Sequence, residues 1–270
     1  VQQHVGPVLL RQVDGHVAVG QLHVHPLYIL GGQSGAGDAV AGRPLTVGKE
    51  IDMADAVLYA FHGGTMAGEA LANILSGKAN PSGKLPVTMA RMTGQYPMYY
   101  AHKNTGRPPE WTVDLDSIPV EALQTSTGCT SYYLDAGKDP LYPFGYGLSY
   151  TTFDISTPRL SASSMAIGSE TPLTVECTVT NTGDREGAET VQLYVRDLVG
   201  SLARPVKELK DFRKVTLKPG ESKVVSFALT PGQLSFHGLD GKPLIEAGDF
   251  QVWTAGNSVD GTPVSFSLTD

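Results

Sequence analysis

The residues best equipped for chemistry stand close together in Glu110-Trp111-Thr112-Val113-Asp114-Leu115-Asp116. Carboxylates can pass protons, attack an electrophilic carbon or hold hydroxyl groups, and a flat polyhydroxylated ring stacks well on an indole face. In an extended loop, Asp114 and Asp116 share one side, because side chains alternate along an extended chain. The same composition also describes a solvated loop whose Trp111 packs on the domain surface, since charged loop residues ordinarily face water. Shortly before it, His102, Asn104 and Arg107 form a second polar group. The guanidinium is a rigid fork suited to a carboxylate or to paired hydroxyls. It would equally serve to tie the loop to its own domain. His23 and His25 are spaced to share a strand face, but no carboxylate or cysteine stands nearby to complete a metal set. No metal and no cofactor is expected.

A buried element must hold such loops, and the stretch 55–88 supplies one. Ala56-Val57-Leu58-Tyr59-Ala60-Phe61 is a continuous apolar run, the pattern of a strand covered on both faces. Gly63 and Gly64 permit a sharp turn, and Thr65 is placed to cap a following helix. Met66, Ala70, Ile74 and Leu75 fall near one face of that helix, with Gly77 where a left-handed C-terminal cap belongs. Glu69 reads as an exposed helical residue. Asn80-Pro81-Ser82-Gly83 predicts a turn, and Lys84-Leu85-Pro86-Val87 an extended exit from it. The sequence 104–137 is a long irregular stretch of the kind that is functional or mobile in compact domains.

From Thr151 onward the pattern changes. Leu173, Val175, Cys177 and Val179 alternate with polar residues, as do Val191, Leu193 and Val195, then Val225, Phe227 and Leu229, then Phe250 and Val252. Turn signals at Asn181-Thr182-Gly183-Asp184, Lys218-Pro219-Gly220-Glu221 and Asp240-Gly241 separate these runs. Short alternating strands between turns predict an antiparallel β-sandwich.

The chain has 270 residues, enough for one large or two ordinary domains. Its 41% hydrophobic and 17% charged content excludes disorder as the dominant state. A net charge of −7 argues against a nucleic-acid partner held by its phosphates. No apolar run approaches the roughly 20 residues needed to cross a bilayer, and no membrane partner is expected. Cys129 and Cys177 fall in different predicted domains and read as separate thiols.

Several longer phrases are more specific. Gly63-Gly64-Thr65-Met66-Ala67-Gly68, Asn80-Pro81-Ser82-Gly83-Lys84-Leu85-Pro86-Val87-Thr88, Tyr99-Tyr100-Ala101-His102-Lys103-Asn104-Thr105-Gly106-Arg107-Pro108 and Pro140-Leu141-Tyr142-Pro143-Phe144-Gly145-Tyr146-Gly147-Leu148-Ser149-Tyr150 occur in this order. Together with Ser201-Leu202-Ala203-Arg204-Pro205-Val206-Lys207-Glu208-Leu209 they resemble glycoside hydrolase family 3, and its β-glucosidases most closely, from about Ala41 to the end. The resemblance implies an incomplete α/β sandwich over residues 41–150 and a fibronectin type III-like β-sandwich over 151–270, with residues 1–40 unmatched. An apolar strand that should lead into Gly42-Arg43-Pro44-Leu45 is not apparent. Residues 1–40 are therefore expected to make few contacts, and a cloning or reading-frame artefact would account for them.

For function, the resemblance implies a retaining glycosidase that removes terminal β-D-glucosyl residues from a β-glucoside or oligosaccharide. That chemistry needs two carboxylates about 5–5.5 Å apart. The family's nucleophile is an Asp in a (β/α)8 barrel of about 250 residues, and nothing here supplies it. Its acid/base Glu precedes the Gly-Arg-Pro motif, where residues 1–40 contain no Glu. Neither catalytic carboxylate is recognisable, so a barrel domain of the intact protein is the implied partner. Glu110, Asp114 and Asp116 are the candidate carboxylates within the chain, and Trp111, His102 and Arg107 the candidate substrate contacts. The competing reading is a non-catalytic carbohydrate-binding or accessory module. A small hydrolase built on the 110–116 loop is the third. No signal peptide is visible at residues 1–10, although a periplasmic or secreted setting is ordinary for the family.

Overall fold

The structure is a computed structural model, and it describes residues 8–11, 36–39, 41–108, 113–122 and 131–270. Its first part is organised around the predicted central strand. The elements there are β1 (Val8–Arg11), β2 (Ala36–Ala39), helix α1 (Gly48–Met53), β3 (Ala56–Tyr59) and helix α2 (Ala67–Leu75). All four residues of β3 are buried, as a strand covered on both faces requires. Val57 and Tyr59 pack with Val47, Ile51, Ala54, Leu85 and Met89 into one core. Gly77 takes φ +73 just past α2, the left-handed stop the sequence called for.

Four expectations are corrected here. Both neighbours of β3 come from residues 1–40: β1 pairs with it antiparallel and β2 parallel. The strand before Gly42 therefore exists, and it was invisible because Ala-Gly-Asp-Ala is not an apolar run. Residues 48–53 form α1. Helix α2 begins after Met66 with no side-chain cap, so Thr65 does not serve. It buries Ile74 and leaves Met66 63% exposed, so the apolar stripe is rotated from the predicted one. Residues 80–83 run on without a hydrogen-bonded turn, because Asn80 is engaged elsewhere. Its side chain accepts from the Tyr150 N–H (2.7 Å) and donates to the Glu186 carbonyl (3.0 Å).

The exit from this segment pairs as an extended chain would, although it bends at Pro86 and Val87. Residues 85–89 exchange backbone hydrogen bonds with 141–146, through Leu85 with Gly145 and Tyr146 and Met89 with Leu141 and Tyr142. Two of the sequence phrases thus lie side by side.

The second part contains β4 (Phe153–Ile155), β5 (Arg159–Leu160), β6 (Ser164–Ala166), β7 (Leu173–Asn181), β8 (Gly187–Asp197), β9 (Glu208–Leu217), β10 (Ser222–Leu229), β11 (Phe236–His237), β12 (Pro243–Leu244), β13 (Gly248–Ala255) and β14 (Val264–Thr269). One sheet has the order β10-β7-β4 with β5 also on β7, and the facing sheet runs β6-β14-β13-β8-β9. All neighbours pair antiparallel except β6 on β14. Val175, Cys177, Val179, Leu193, Val195, Phe227 and Phe250 are each at most 3% exposed and share one core between the sheets. The predicted sandwich is the observed one.

Alternation fails in one place, and that place is the joint. In β8, Gln192 and Tyr194 are buried although they oppose the core face, and Trp253 and Ala255 of β13 are buried likewise. The α/β part covers them. Tyr100 stacks on Phe144 at 4.2 Å, meets Tyr194 edge-on at 6.0 Å and accepts from the Leu209 N–H (3.2 Å). Gln192 donates to the carbonyls of Gly145 (3.1 Å) and Gly256 (2.5 Å), while its own oxygen accepts from the Tyr194 hydroxyl (2.5 Å). Gly145 has φ +80, and a β-carbon there would run into Gln192, so only glycine suits the contact.

Candidate functional site

The candidate residues lie on the loops that leave the α/β core between residues 98 and 139. Two anchors hold them. The first fixes the His102 segment to the sandwich: Val206 N–H donates to the His102 carbonyl (2.9 Å), and Lys103 forms a β-bridge with Pro205. The second joins 113–118 to 131–139, where Leu115 N–H donates to the Leu134 carbonyl (3.3 Å) and Val113 N–H to the Tyr132 hydroxyl (3.1 Å). Among the described residues, Arg107 is tied in through its backbone, whose carbonyl accepts from the Ser131 N–H (3.1 Å).

With the backbone so held, the side chains of His102, Asn104 and Arg107 are exposed. The His102 ring stays near its own loop, with Nδ1 3.1 Å from the Lys103 carbonyl. Asp114 and Asp116 are exposed as well, but the loop is not extended there. Residues 115–117 form a single 3-10 turn, and Asp114 caps it by accepting from the Asp116 N–H at 3.0 Å. Asp114 thereby has a local structural task, as short acidic side chains have at turn starts. Glu110 and Trp111 lie outside the described residues, as does Cys129.

Asp114 borders a cleft of about 410 Å³ with Arg91, Val113, Asp135, Lys138 and Asp139. The Arg91 Nε donates to the Asp139 carbonyl (3.3 Å), and buried Gln95 accepts from the Arg91 N–H (2.8 Å) and donates to the Gly137 carbonyl (3.4 Å). A braced floor thus carries both carboxylates and cations, which suits the hydroxyls of a neutral polar ligand. The sequence reading did not single out Arg91, Asp135 or Lys138. They are separated from Asp114 in sequence and meet it only because 131–139 folds back. Among the described residues no group of three His, Cys, Asp or Glu side chains is placed to hold a metal ion. Likewise none of the described helices is long and apolar enough to cross a membrane.

Other polar groups that sequence reasoning missed sit at the joint. Lys84 and Glu189 pair across it at 2.8 Å, both mostly buried, and Lys84 also donates to the Gly147 carbonyl (2.7 Å). Lys207 is 8% exposed. Its ammonium lies 4.6 Å from the Trp253 ring and 5.2 Å from that of Tyr194, donating to the Ser258 carbonyl at 2.8 Å. Burial draws its pKa down to about 8, with the Asp260 carboxylate opposing the fall. Burial also pushes the Tyr146 hydroxyl up to about 12, helped by Tyr142 and Asp260.

An α/β core carrying long polar loops and docked on an antiparallel β-sandwich defines the architecture, and comparison with known proteins names the family. Residues 39–150 match the glycosyl hydrolase family 3 C-terminal domain, and residues 189–258 the fibronectin type III-like domain. A periplasmic beta-glucosidase of Salmonella typhimurium is 45% identical over 229 residues, which are 84% of this chain and 28% of that protein. A putative beta-xylosidase of Formosa agariphila is 39% identical over 226 residues, 84% of this chain and 27% of that protein. Among solved structures, the beta-glucosidase from Listeria innocua in complex with glucose aligns with TM-score 0.77 and 37% identity, over 88% of this chain and 31% of its own. The chain belongs to glycoside hydrolase family 3 and corresponds to the C-terminal part of its β-glucosidase-like members. It spans about three-tenths of the length of these relatives.

Proposed function

We propose that this chain serves a retaining β-glucosidase-like hydrolase acting on terminal β-D-glucosyl residues, as the part that completes and braces the substrate cleft. The reading divides the chain into an α/β-sandwich part at 41–150 and a fibronectin type III-like domain at 151–270. The observation that carries it is the 45% identity to a protein named as a beta-glucosidase, running through both parts. In this reading the nucleophile is an Asp of a (β/α)8 barrel, and about seven-tenths of that relative's length lies outside the match, ample for a barrel of about 250 residues. Carboxylates about 5–5.5 Å apart would attack the anomeric carbon and protonate the leaving oxygen. His102, Arg107 and Trp111 take the role of substrate contacts. The exposed side chains of His102 and Arg107, on a backbone clamped at His102–Lys103 to Pro205 and Val206 and at Arg107 to Ser131, support it. Glu110, Asp114 and Asp116 remain the carboxylates available if the chain acts alone, although the capping task of Asp114 weighs against it.

The test is an aryl β-glucoside assay of the purified chain, alone and with a separately produced family 3 barrel domain. Negligible turnover alone and restored turnover with the barrel is the expected result. Robust turnover by the chain alone, lost on replacing Glu110, Asp114 or Asp116 by its amide, would overturn it.

A further inference from the structure

The joint between the two parts encloses more than a contact. A cleft of about 350 Å³ opens there, lined by Lys84 and Tyr146 from one side and Phe153, Glu189, Gly256 and Asp260 from the other. Its floor is the Lys84–Glu189 pair. The two charges answer each other at 2.8 Å, so the floor exerts little pull on a counter-ion. What it retains is hydrogen-bonding capacity. An ammonium offers three N–H donors and a carboxylate about four lone-pair positions. Among the described residues the Gly147 carbonyl and the Thr190 N–H are the only other groups hydrogen-bonded to the two. The Lys84 ammonium meets both Glu189 oxygens, at 2.8 and 3.1 Å, as well as the Gly147 carbonyl, so its three N–H groups are engaged, whereas Glu189 keeps an acceptor position that a ligand hydroxyl satisfies by donating.

The rim continues the pattern. Asp260 is exposed and held in place, because the Asn257 side chain donates to its carboxylate (2.7 Å) and accepts from its N–H (3.1 Å). The rings of Tyr146 and Phe153 supply apolar wall, against which the C–H face of a sugar packs. A β-carbon at Gly256 would make only ordinary contacts, 3.6 Å to Glu189 and 3.9 Å to Ile155, so a larger side chain there can fill the cleft without displacing the ion pair. Two carboxylates and one ammonium disfavour an anionic ligand. The volume falls within the range of small-molecule sites, about 300–1,000 Å³.

We propose that this cleft binds a neutral pyranose, with a hydroxyl donating to Glu189 and the ring against Tyr146. Binding of this kind involves no turnover, so it stands whether or not the glycosidase reading does. The test titrates D-glucose, and glycerol in parallel, into the full 270-residue chain labelled with nitrogen-15. Saturable one-to-one shifts centred on the amides of Gly147, Gly256 and Gly261 are expected for glucose, with a Kd on the order of millimolar. Gly256→Leu, which leaves the ion pair in place, should weaken binding at least tenfold, and Asp260→Ala at the exposed rim severalfold. Shifts that rise linearly without saturating overturn the proposal, as do shifts centred on 102–107 or 113–116. Glycerol binding as well as glucose, or neither substitution weakening glucose, overturns it too.

Discussion

Raising the pH from 7 to 10 should stabilise this fold through Lys207. The ammonium is nearly buried, between the rings of Trp253 and Tyr194 and the carbonyls of Ser258 and Asp260. Losing water costs it more than these partners and the Asp260 carboxylate return, and its pKa falls from the ordinary 10.5 to about 8. At about 1.36 kcal/mol per pKa unit, that difference corresponds to about 3 kcal/mol. Between pH 8 and 10.5 the native chain holds fewer protons than the unfolded one, so stability rises with pH across that window. Below pH 8 both states are protonated and the contribution is flat. By pH 10 most of that penalty, about 2 kcal/mol, is relieved. The assay is guanidinium denaturation of the wild type and of Lys207→Met, which keeps a long apolar stem, at intervals from pH 7 to 10. Groups common to both proteins, such as Tyr146 with its pKa near 12, cancel in the difference. That difference should stay level to about pH 7.5 and then move by about 2 kcal/mol in favour of the wild type. A level difference throughout, or movement the other way, would refute the reasoning.

Phe227→Ala, at 1% exposure in the sandwich core, should destabilise by about 3–5 kcal/mol in the same denaturation assay. Cys177→Ser should cost only about 1 kcal/mol, because Thr254 offers the new hydroxyl a partner where the thiol now stands. Gly145→Ala should cost at least about 1–3 kcal/mol from its left-handed backbone. The amides of Gln192 and Tyr194 should lose hydrogen-exchange protection with it. Lys84→Met leaves Glu189 buried and unpaired, and about 3 kcal/mol should be lost. The double variant Lys84→Met/Glu189→Leu should recover much of it.

Much of the architecture was legible in residue patterns. Alternation placed Val175, Cys177, Val179, Leu193, Val195 and Phe227 on the inner faces, because a strand with one face in a core must repeat every second residue. The apolar run at 56–61 announced a strand covered on both sides, and its first four residues are that strand and are buried. Gly77 marked the end of α2 because few other residues accept φ +73. Family wording located the α/β part and the sandwich in order. The tertiary structure decided the rest. Ala-Gly-Asp-Ala became β2 because an adjacent strand offered it hydrogen bonds, and backbone pairing leaves no mark in side-chain hydropathy. Gln192, Tyr194 and Trp253 stood in the solvent phase of their strands, yet the α/β part covers them, since periodicity tells which way a residue points but not what lies there. Glu189 stood in phase with Val191 and Leu193 as a charge among core positions, and only its partner, 105 residues away at Lys84, explains it. Asp114 and Asp116 looked like a pair along an extended strand. A local 3-10 turn closed instead, because an aspartate beside free N–H groups caps a turn more readily than it waits for a ligand.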